Sequence, residues 1–195
     1  YLLKYMNEMN LVIGAYDGYK SLKTNKGGLY FFIKSLRKHN KTCECVVIVH
    51  KKNIFEELVD FCMINNVIIY SDMDNLYKNN SVSMIQNTRH YAILKYIENK
   101  KYNKILSCDM NDCIFQSDPF EIESNTLYVA AEQNILSDMK NPSSQLNIDW
   151  INQFNKYFKC DNMNWIQDKP VVCVGTIYGP YEDVLDWLKF YTECS

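Results

Sequence analysis

The sequence predicts an α/β layered fold with a mainly parallel central sheet flanked by helices. Short apolar, β-branched runs of strand length alternate along the chain with stretches whose apolar residues recur at helical spacing. With 195 residues, 47% of them apolar and 23% charged, the chain can bury the core that such layers need. No internal repeat, low-complexity tract or strong linker divides it, so a single domain over 1–195 is expected.

The elements follow in order. Leu11–Tyr16 is a strand that ends at Asp17-Gly18. Gly27-Gly28 punctuates the loop, and Leu29–Lys38 has helical spacing. Cys45–His50 is a buried strand, and Phe55–Asn65 is a helix with Phe55, Leu58, Val59 and Cys62 on one face. Val67–Tyr70 is a strand, and Ser71–Val82 is a polar loop. Thr88–Asn99 is a helix on which Tyr91, Leu94 and Ile97 recur. Lys104–Cys108 is a short strand that stops at Asp109, with a brief extended piece at Ile114–Gln116. Leu127–Glu132 is a strand, Asn147–Tyr157 a helix, Pro170–Val174 a strand running into Gly175, and Tyr181–Tyr191 a closing amphipathic helix. In open α/β sheets ligands bind beyond the carboxyl ends of the strands, so the loops that begin at Tyr16, Asp109, Glu132 and Gly175 are the ones to watch.

Composition narrows the function classes. A net charge of −2 gives no reason to expect nucleic acid or an anionic membrane as partner. No apolar run approaches the length of a membrane span. The basic cluster Lys34, Arg37, Lys38 and Lys41 reads as the solvated side of a helix end. The eight cysteines lack paired zinc-finger spacing and several sit in apolar runs. They read as buried free thiols of a reducing compartment, which favours the cytoplasm. Sequons at Asn40 and Asn79 are expected by chance in so asparagine-rich a chain. The chain opens on Tyr1 and stops at Ser195 directly after a helix, so both ends are expected to be trimmed.

Chemistry concentrates in one place. An apolar strand delivers Asp109, Met110, Asn111 and Asp112 into a tight turn at the ligand-binding edge. Hard divalent ions take oxygen ligands and often share them with substrate phosphates, so one or two carboxylates suffice when a diphosphate supplies the rest.

The run Tyr102–Phe120, KYNKILSCDMNDCIFQSDPF with its preceding Lys101, resembles the metal-site segment of GT-A-type glycosyltransferases. It is similar above all to a viral, algal and bacterial group with two such aspartates, then Phe-Gln, then Pro-Phe, as Asp109, Asp112, Phe115-Gln116 and Pro119-Phe120 stand here. Arg89-His90-Tyr91 ahead of the turn and Pro170–Gly179 after it are similar to further segments of that group. Asn111 stands where the group usually has Arg, and Cys173 where it has Asn.

The resemblance implies a GT-A-like, Rossmann-type fold and a glycosyltransferase acting on a nucleoside-diphosphate sugar, with a UDP-sugar as the default donor. The acceptor would be a glycan, protein or lipid. It implies Mn²⁺ or Mg²⁺ at Asp109 and Asp112, with Asp109, Met110 and Asn111 also facing the donor. Ala15, Tyr16 and Asp17 would cradle the nucleotide, Tyr16 either stacking on the base or capping the core. Arg89 would pair with the diphosphate, and Gly175 and Gly179 would let backbone approach the sugar. In an inverting enzyme a carboxylate deprotonates the acceptor, for which Glu132 and Asp149 are the candidates. Two other readings compete. A degenerate domain would bind the nucleotide sugar without turnover. A sugar nucleotidyltransferase would need a Gly-rich phosphate loop after the first strand, which Ala15–Tyr19 is not.

Overall fold

The computed structural model describes residues 9–16, 27–71, 85–123, 125–135, 148–149, 151–152, 156 and 170–194. Among them run β1 (Leu11–Ala15), α1 (Gly28–His39), β2 (Glu44–Ile48), α2 (Glu56–Ile64), β3 (Ile68–Tyr70), α3 (Ile85–Ile97), β4 (Lys104–Cys108), β5 (Tyr128–Ile135), β6 (Pro170–Pro180) and α4 (Tyr181–Cys194). The strands form one sheet in the order β3-β2-β1-β4-β6-β5. β1 pairs in parallel with β2 and β4, β2 in parallel with β3, and β4 antiparallel with β6. The expected α/β architecture with a mainly parallel sheet is what the chain adopts. Two compact units divide it, one of Tyr1–Tyr128 with Gly175–Ser195 and one of Val129–Val174.

In the first unit the strands send alternate residues to opposite faces, as the two-residue period of a strand requires. Val12, Cys45, Val47, Leu106 and Cys108 face α1 and α2, while Leu11, Ile13, Val46, Ile48 and Ile105 face α3 and α4. Helix α1 has Gly27 as its N-cap, without a side-chain hydrogen bond. With glycine at the N-cap, the missing side-chain bond costs only roughly a few tenths of a kcal/mol. Complete burial of Leu29, Phe32, Ile33 and Leu36 outweighs it, at about 2 kcal/mol per side chain.

Several element edges differ from expectation for visible reasons. The buried face of α3 is Ala92, Ile93, Tyr96 and Ile97 rather than Tyr91, Leu94 and Ile97, because α4 packs beside it. Val59 points outward on α2, leaving Leu58 and Cys62 as its buried contacts. β5 runs past Glu132 to Ile135, and β6 runs past Gly175 to Pro180. The Gly175 and Gly179 positions are therefore inside a strand, where antiparallel pairing with β4 continues through Thr176–Pro180. Arg37 is half-buried rather than a free surface charge. Its guanidinium donates to the carbonyls of Asn65 (2.8 Å), Cys43 (2.9 Å) and Asn66 (2.7 Å), tying α1 to the α2–β3 turn and to β2. Asn66 takes a left-handed φ of 54° there, which asparagine tolerates better than most residues. The expected loop at Ser71–Val82 lies almost wholly outside the described residues, and so does most of the expected helix at Asn147–Tyr157. No helix among the described residues is long and apolar enough to cross a membrane.

Glu44, at the amino end of β2, accepts hydrogen bonds from the hydroxyls of Tyr96 (2.7 Å) and Tyr102 (2.6 Å). Burial first, then the Glu44 carboxylate, push both phenols well above their ordinary range. Lys100 sits 3.4 Å above the Tyr96 ring.

His90 on α3 is fully buried, edge-on to Trp187 at 5.4 Å and tilted against Tyr191 at 4.5 Å, both on α4. Burial first, and the neighbouring Arg89 charge second, push its imidazole down to about 3 from an ordinary 6.5. Between those values the unfolded chain takes up a proton that the folded chain refuses. The contribution is thus full above about pH 6.5 and shrinks as pH falls toward 3. Urea unfolding at pH 7 and at pH 4.5 should show the wild type losing on the order of 2 kcal/mol more than His90→Phe does. Equal losses in the two proteins would rule this out.

Candidate functional site

The acidic turn is pressed into place by backbone contacts before any side chain acts. β4 ends at Cys108, and residues 110–112 form the turn. A Cβ on Gly14 of β1 would lie 2.2 Å from the Cys108 carbonyl oxygen and 2.9 Å from Met110 Cγ. A Cβ on Gly28, the first residue of α1, would lie 1.7 Å from the Asn111 carbonyl oxygen. Both positions must be glycine because the turn lies against them. Met110 is fully buried and anchors the turn in the core below.

The segment after the turn is strapped along α1. The Phe115 amide donates to Ser35 Oγ at 3.0 Å, and Phe115 packs edge-on against Phe32 at 5.0 Å. Asn40, one residue beyond α1 and buried, donates through Nδ2 to both Asp118 oxygens at 3.0 and 2.8 Å. Its Oδ1 accepts from the amides of Thr42 (3.0 Å) and Cys43 (2.7 Å). Asp118 in turn accepts from the Phe120 amide at 2.9 Å. Asp118-Pro119-Phe120 is thus a latch onto the far end of α1.

From the other face of the sheet, Arg89 on α3 forms an ion pair with Asp109 Oδ1. The arginine side chain is 7% exposed and the aspartate 43%, so a buried cation holds a half-open carboxylate. Asp112 is exposed. Asn111 Oδ1 is buried and has no hydrogen-bond partner among the described residues. The turn therefore offers two carboxylates and one unused amide oxygen around a single paired guanidinium.

Two thiols flank the turn. Cys108 is buried and Cys113 half-buried, and their mutual interaction is the first cause that holds the Cys113 thiol below its ordinary range and the Cys108 thiol well above it. Cys113 Sγ is also 3.9 Å from Asp112 Oδ1. Cys45 and Cys62 lie in the core, where burial pushes each up to about 12.

The expected site residues fall into two groups. Arg89, Asp109, Met110, Asn111 and Asp112 meet at the carboxyl end of β4, with Ala15 at the same end of the parallel-paired β1. Tyr16 is 1% exposed, its ring packed in the core layer beneath α1. Asp17 lies outside the described residues, and Gly175 is buried in β6. Glu132 (in β5) and Asp149 belong to the Val129–Val174 unit; Asp149 is exposed, and the side chains of Glu132 and Cys173 lie outside the described residues. Sequence reasoning missed Gly14, Gly28, Ser35 and Asn40. The Gly27-Gly28 pair before an apolar helix was the one available signal, and it reads equally as punctuation. Among the described residues no three His, Cys, Asp or Glu side chains gather as a metal cage.

No protein-family model and no curated protein matches the chain. Among solved structures it is similar to the apo WbbM bifunctional glycosyltransferase, with a TM-score of 0.58 and 14% identity over 97% of this chain and 34% of that one. It thus spans about a third of that neighbour's length. Weaker likenesses are to a 4-diphosphocytidyl-2C-methyl-D-erythritol synthase (TM-score 0.48, 11% identity, 96% of this chain and 83% of that one) and to a cytidylyltransferase from Leptospira borgpetersenii serovar Hardjo-bovis (0.32, 15%, 53% and 41%). At such identities the first likeness speaks for the fold alone, and that fold is the GT-A-like α/β one.

Two substitutions test how the turn is held. Gly28→Ala gains helix propensity worth up to about 1 kcal/mol, but its methyl meets backbone that cannot swing aside. A net loss of roughly 1–3 kcal/mol is expected by chemical denaturation. Asn40→Asp sets a carboxylate against Asp118 and should cost about 2 kcal/mol or more at pH 7. The double variant Asn40→Asp with Asp118→Asn puts a donor back between the two side chains, through one hydrogen bond in place of two, and should recover part of that loss. Additive losses in the double-mutant cycle would show that the latch does not operate.

Proposed function

We propose that the chain is the catalytic domain of a metal-dependent glycosyltransferase. It moves a sugar from a nucleoside-diphosphate donor, a UDP-sugar by preference, to a hydroxyl on a glycan, protein or lipid acceptor. The observation that carries this reading is the braced acidic turn at the carboxyl end of β4, where a doubly wound sheet presents its ligand site.

The donor set fits a hard divalent ion. Asp109 and Asp112 would supply carboxylate oxygens as ligands, and the same turn carries the buried Asn111 Oδ1. With no third His, Cys, Asp or Glu gathered among the described residues, the other coordination positions fall to diphosphate and water. Mn²⁺ or Mg²⁺ held there would neutralise charge on the departing nucleoside diphosphate.

The chain's own groups do the rest. Arg89 fixes Asp109 through one oxygen, and the aspartate side chain stays 43% exposed. The amino end of α1, against Asn111, adds the positive end of a helix dipole beside the phosphates. Glu132 and Asp149 remain the candidates for accepting the acceptor's proton. The free thiols among the described cysteines suit a reducing compartment such as the cytoplasm.

UDP should raise the melting temperature only when Mn²⁺ or Mg²⁺ is present, by the equivalent of about 2.7 kcal/mol at a hundredfold excess over Kd. Asp112→Ala should abolish that shift, and an intact shift in the variant would refute the metal assignment. A panel of nucleotide sugars, read by mass spectrometry for transfer or hydrolysis, separates enzyme from binder. Binding without any product would favour a non-catalytic domain.

A further inference from the structure

The outward side of α2 carries apolar residues that nothing among the described residues covers. Val59 points outward, and Met63 and Ile64 are 70% and 76% exposed. Val59 and Met63 stand one helical turn apart, and so do Asp60 and Ile64, so the four form two adjacent stripes on one face. Phe31 of α1, also exposed, continues the surface: it is edge-on to Tyr30 at 5.6 Å, and Tyr30 stacks on Phe61 of α2 at 5.4 Å. Single exposed apolar side chains are ordinary. Several gathered on one surface with charges at its rim mark an association surface.

The charges on this surface are ordered along the helix. The exposed Glu56 and Asp60 lie toward the amino end of α2. The last turn of α2 has no basic residue of its own, but Lys34 reaches it from α1. The Lys34 ammonium donates to Asn65 Oδ1, at the carboxyl cap of α2, at 3.0 Å and lies 5.7 Å from the centre of the Phe61 ring. The strip is therefore negative at one end, positive at the other and apolar between. Asp60 precedes Met63 and Asn65 follows it, so carboxylate and ammonium flank Met63, each roughly 3–5 Å away along the axis.

We propose that this face is an interface between two copies of the chain, related by a two-fold axis beside Met63 that packs α2 antiparallel on the α2 of the second copy. A two-fold contact uses one patch twice, so the patch must complement itself. Reversal of α2 achieves this. Met63 and Ile64 of each copy meet those of the other, and Asp60 of each faces Lys34 of the other. The order of the charges thus selects a second copy as the occupant. An anionic membrane would be the wrong one, because Glu56 and Asp60 would lie against its charge. Such pairing requires nothing of the nucleotide-sugar chemistry proposed above.

Sedimentation velocity over a range of protein concentrations tests the interface. The mass should rise with concentration from 23.0 kDa toward twice that value. Met63→Glu should raise the dimer dissociation constant about tenfold or more. Phe190→Glu, a similarly exposed position on α4, should leave it unchanged. Asp60→Lys and Lys34→Glu each set like charges against one another across the axis, and either variant alone should stay monomeric. Mixed in equal amounts the two variants should associate, because in the mixed pair every ammonium again faces a carboxylate. A wild type that is monomeric at every concentration, a dimer that survives Met63→Glu or is lost equally with Phe190→Glu, or a mixture no more associated than its components would each overturn the interface. If Met63→Glu fails to fold, the charge-reversal mixture still decides. Flotation with vesicles of anionic phospholipid covers the other occupant. Binding of a monomeric wild type that Met63→Glu abolishes would overturn the second copy in favour of a membrane.

Discussion

The fit of the Asn111 carbonyl against the first residue of α1 is the contact on which the rest of the site depends. A helix start and a turn can approach this closely only if neither brings a side chain to the contact, and Gly28 is where that condition is met. The same holds on the other side, where Gly14 lets β1 lie against the end of β4. The turn is thereby wedged between a strand and a helix that are themselves anchored by fully buried side chains. Its rigidity comes from the core and not from the acidic residues, which are then free to be half-exposed. Two carboxylates repel each other, and a turn that depended on their mutual arrangement for its shape would be a poor support.

Charge is distributed to match. One buried guanidinium on α3 neutralises one of the two carboxylates and reaches it from the opposite layer of the sheet. The turn is thus held from both layers, by backbone contact on the α1 side and by an ion pair on the α3 side. Away from this edge, Glu44 and its two tyrosines supply a polar anchor at the amino end of β2, and there the acidic group is enclosed by donors. The two ends of the sheet use carboxylates differently: at one, Glu44 Oε1 is held by two hydroxyls; at the other, Asp109 and Asp112 are more open.

Much of this was legible in the sequence. The strands and helices follow from apolar runs and periodicity because burial on two faces leaves that imprint directly. The acidic turn was legible because strand ends at a doubly wound sheet have a known use. The bracing was not. Gly28 reads as a loop breaker, Arg37 as a surface charge and Asn40 as one of many asparagines, since their roles depend on contacts with Asn111, Asn65 and Asp118 at long sequence separation. The extents of β5 and β6 were underestimated for a related reason. Glycines inside β6 look like stops, yet pairing with β4 carries the strand through them. Tyr16 shows the limit of position alone, because a tyrosine at a strand end serves a base or a core equally well until its neighbours are known.

The Asn40 latch carries a consequence for biosynthesis. The amide nitrogen that bonds Asp118 is the same atom that an Asn-Lys-Thr sequon would offer for glycosylation, and in the folded chain it is buried. In a secretory compartment the two fates would therefore exclude each other. A chain that folds first hides its acceptor, and a chain modified first cannot close the strap behind the acidic turn. Maturation there would become a race between the oligosaccharide-transfer machinery and the docking of residues 118–120 onto α1, with an undocked strap whenever folding loses. A reducing compartment that lacks that machinery removes the race altogether.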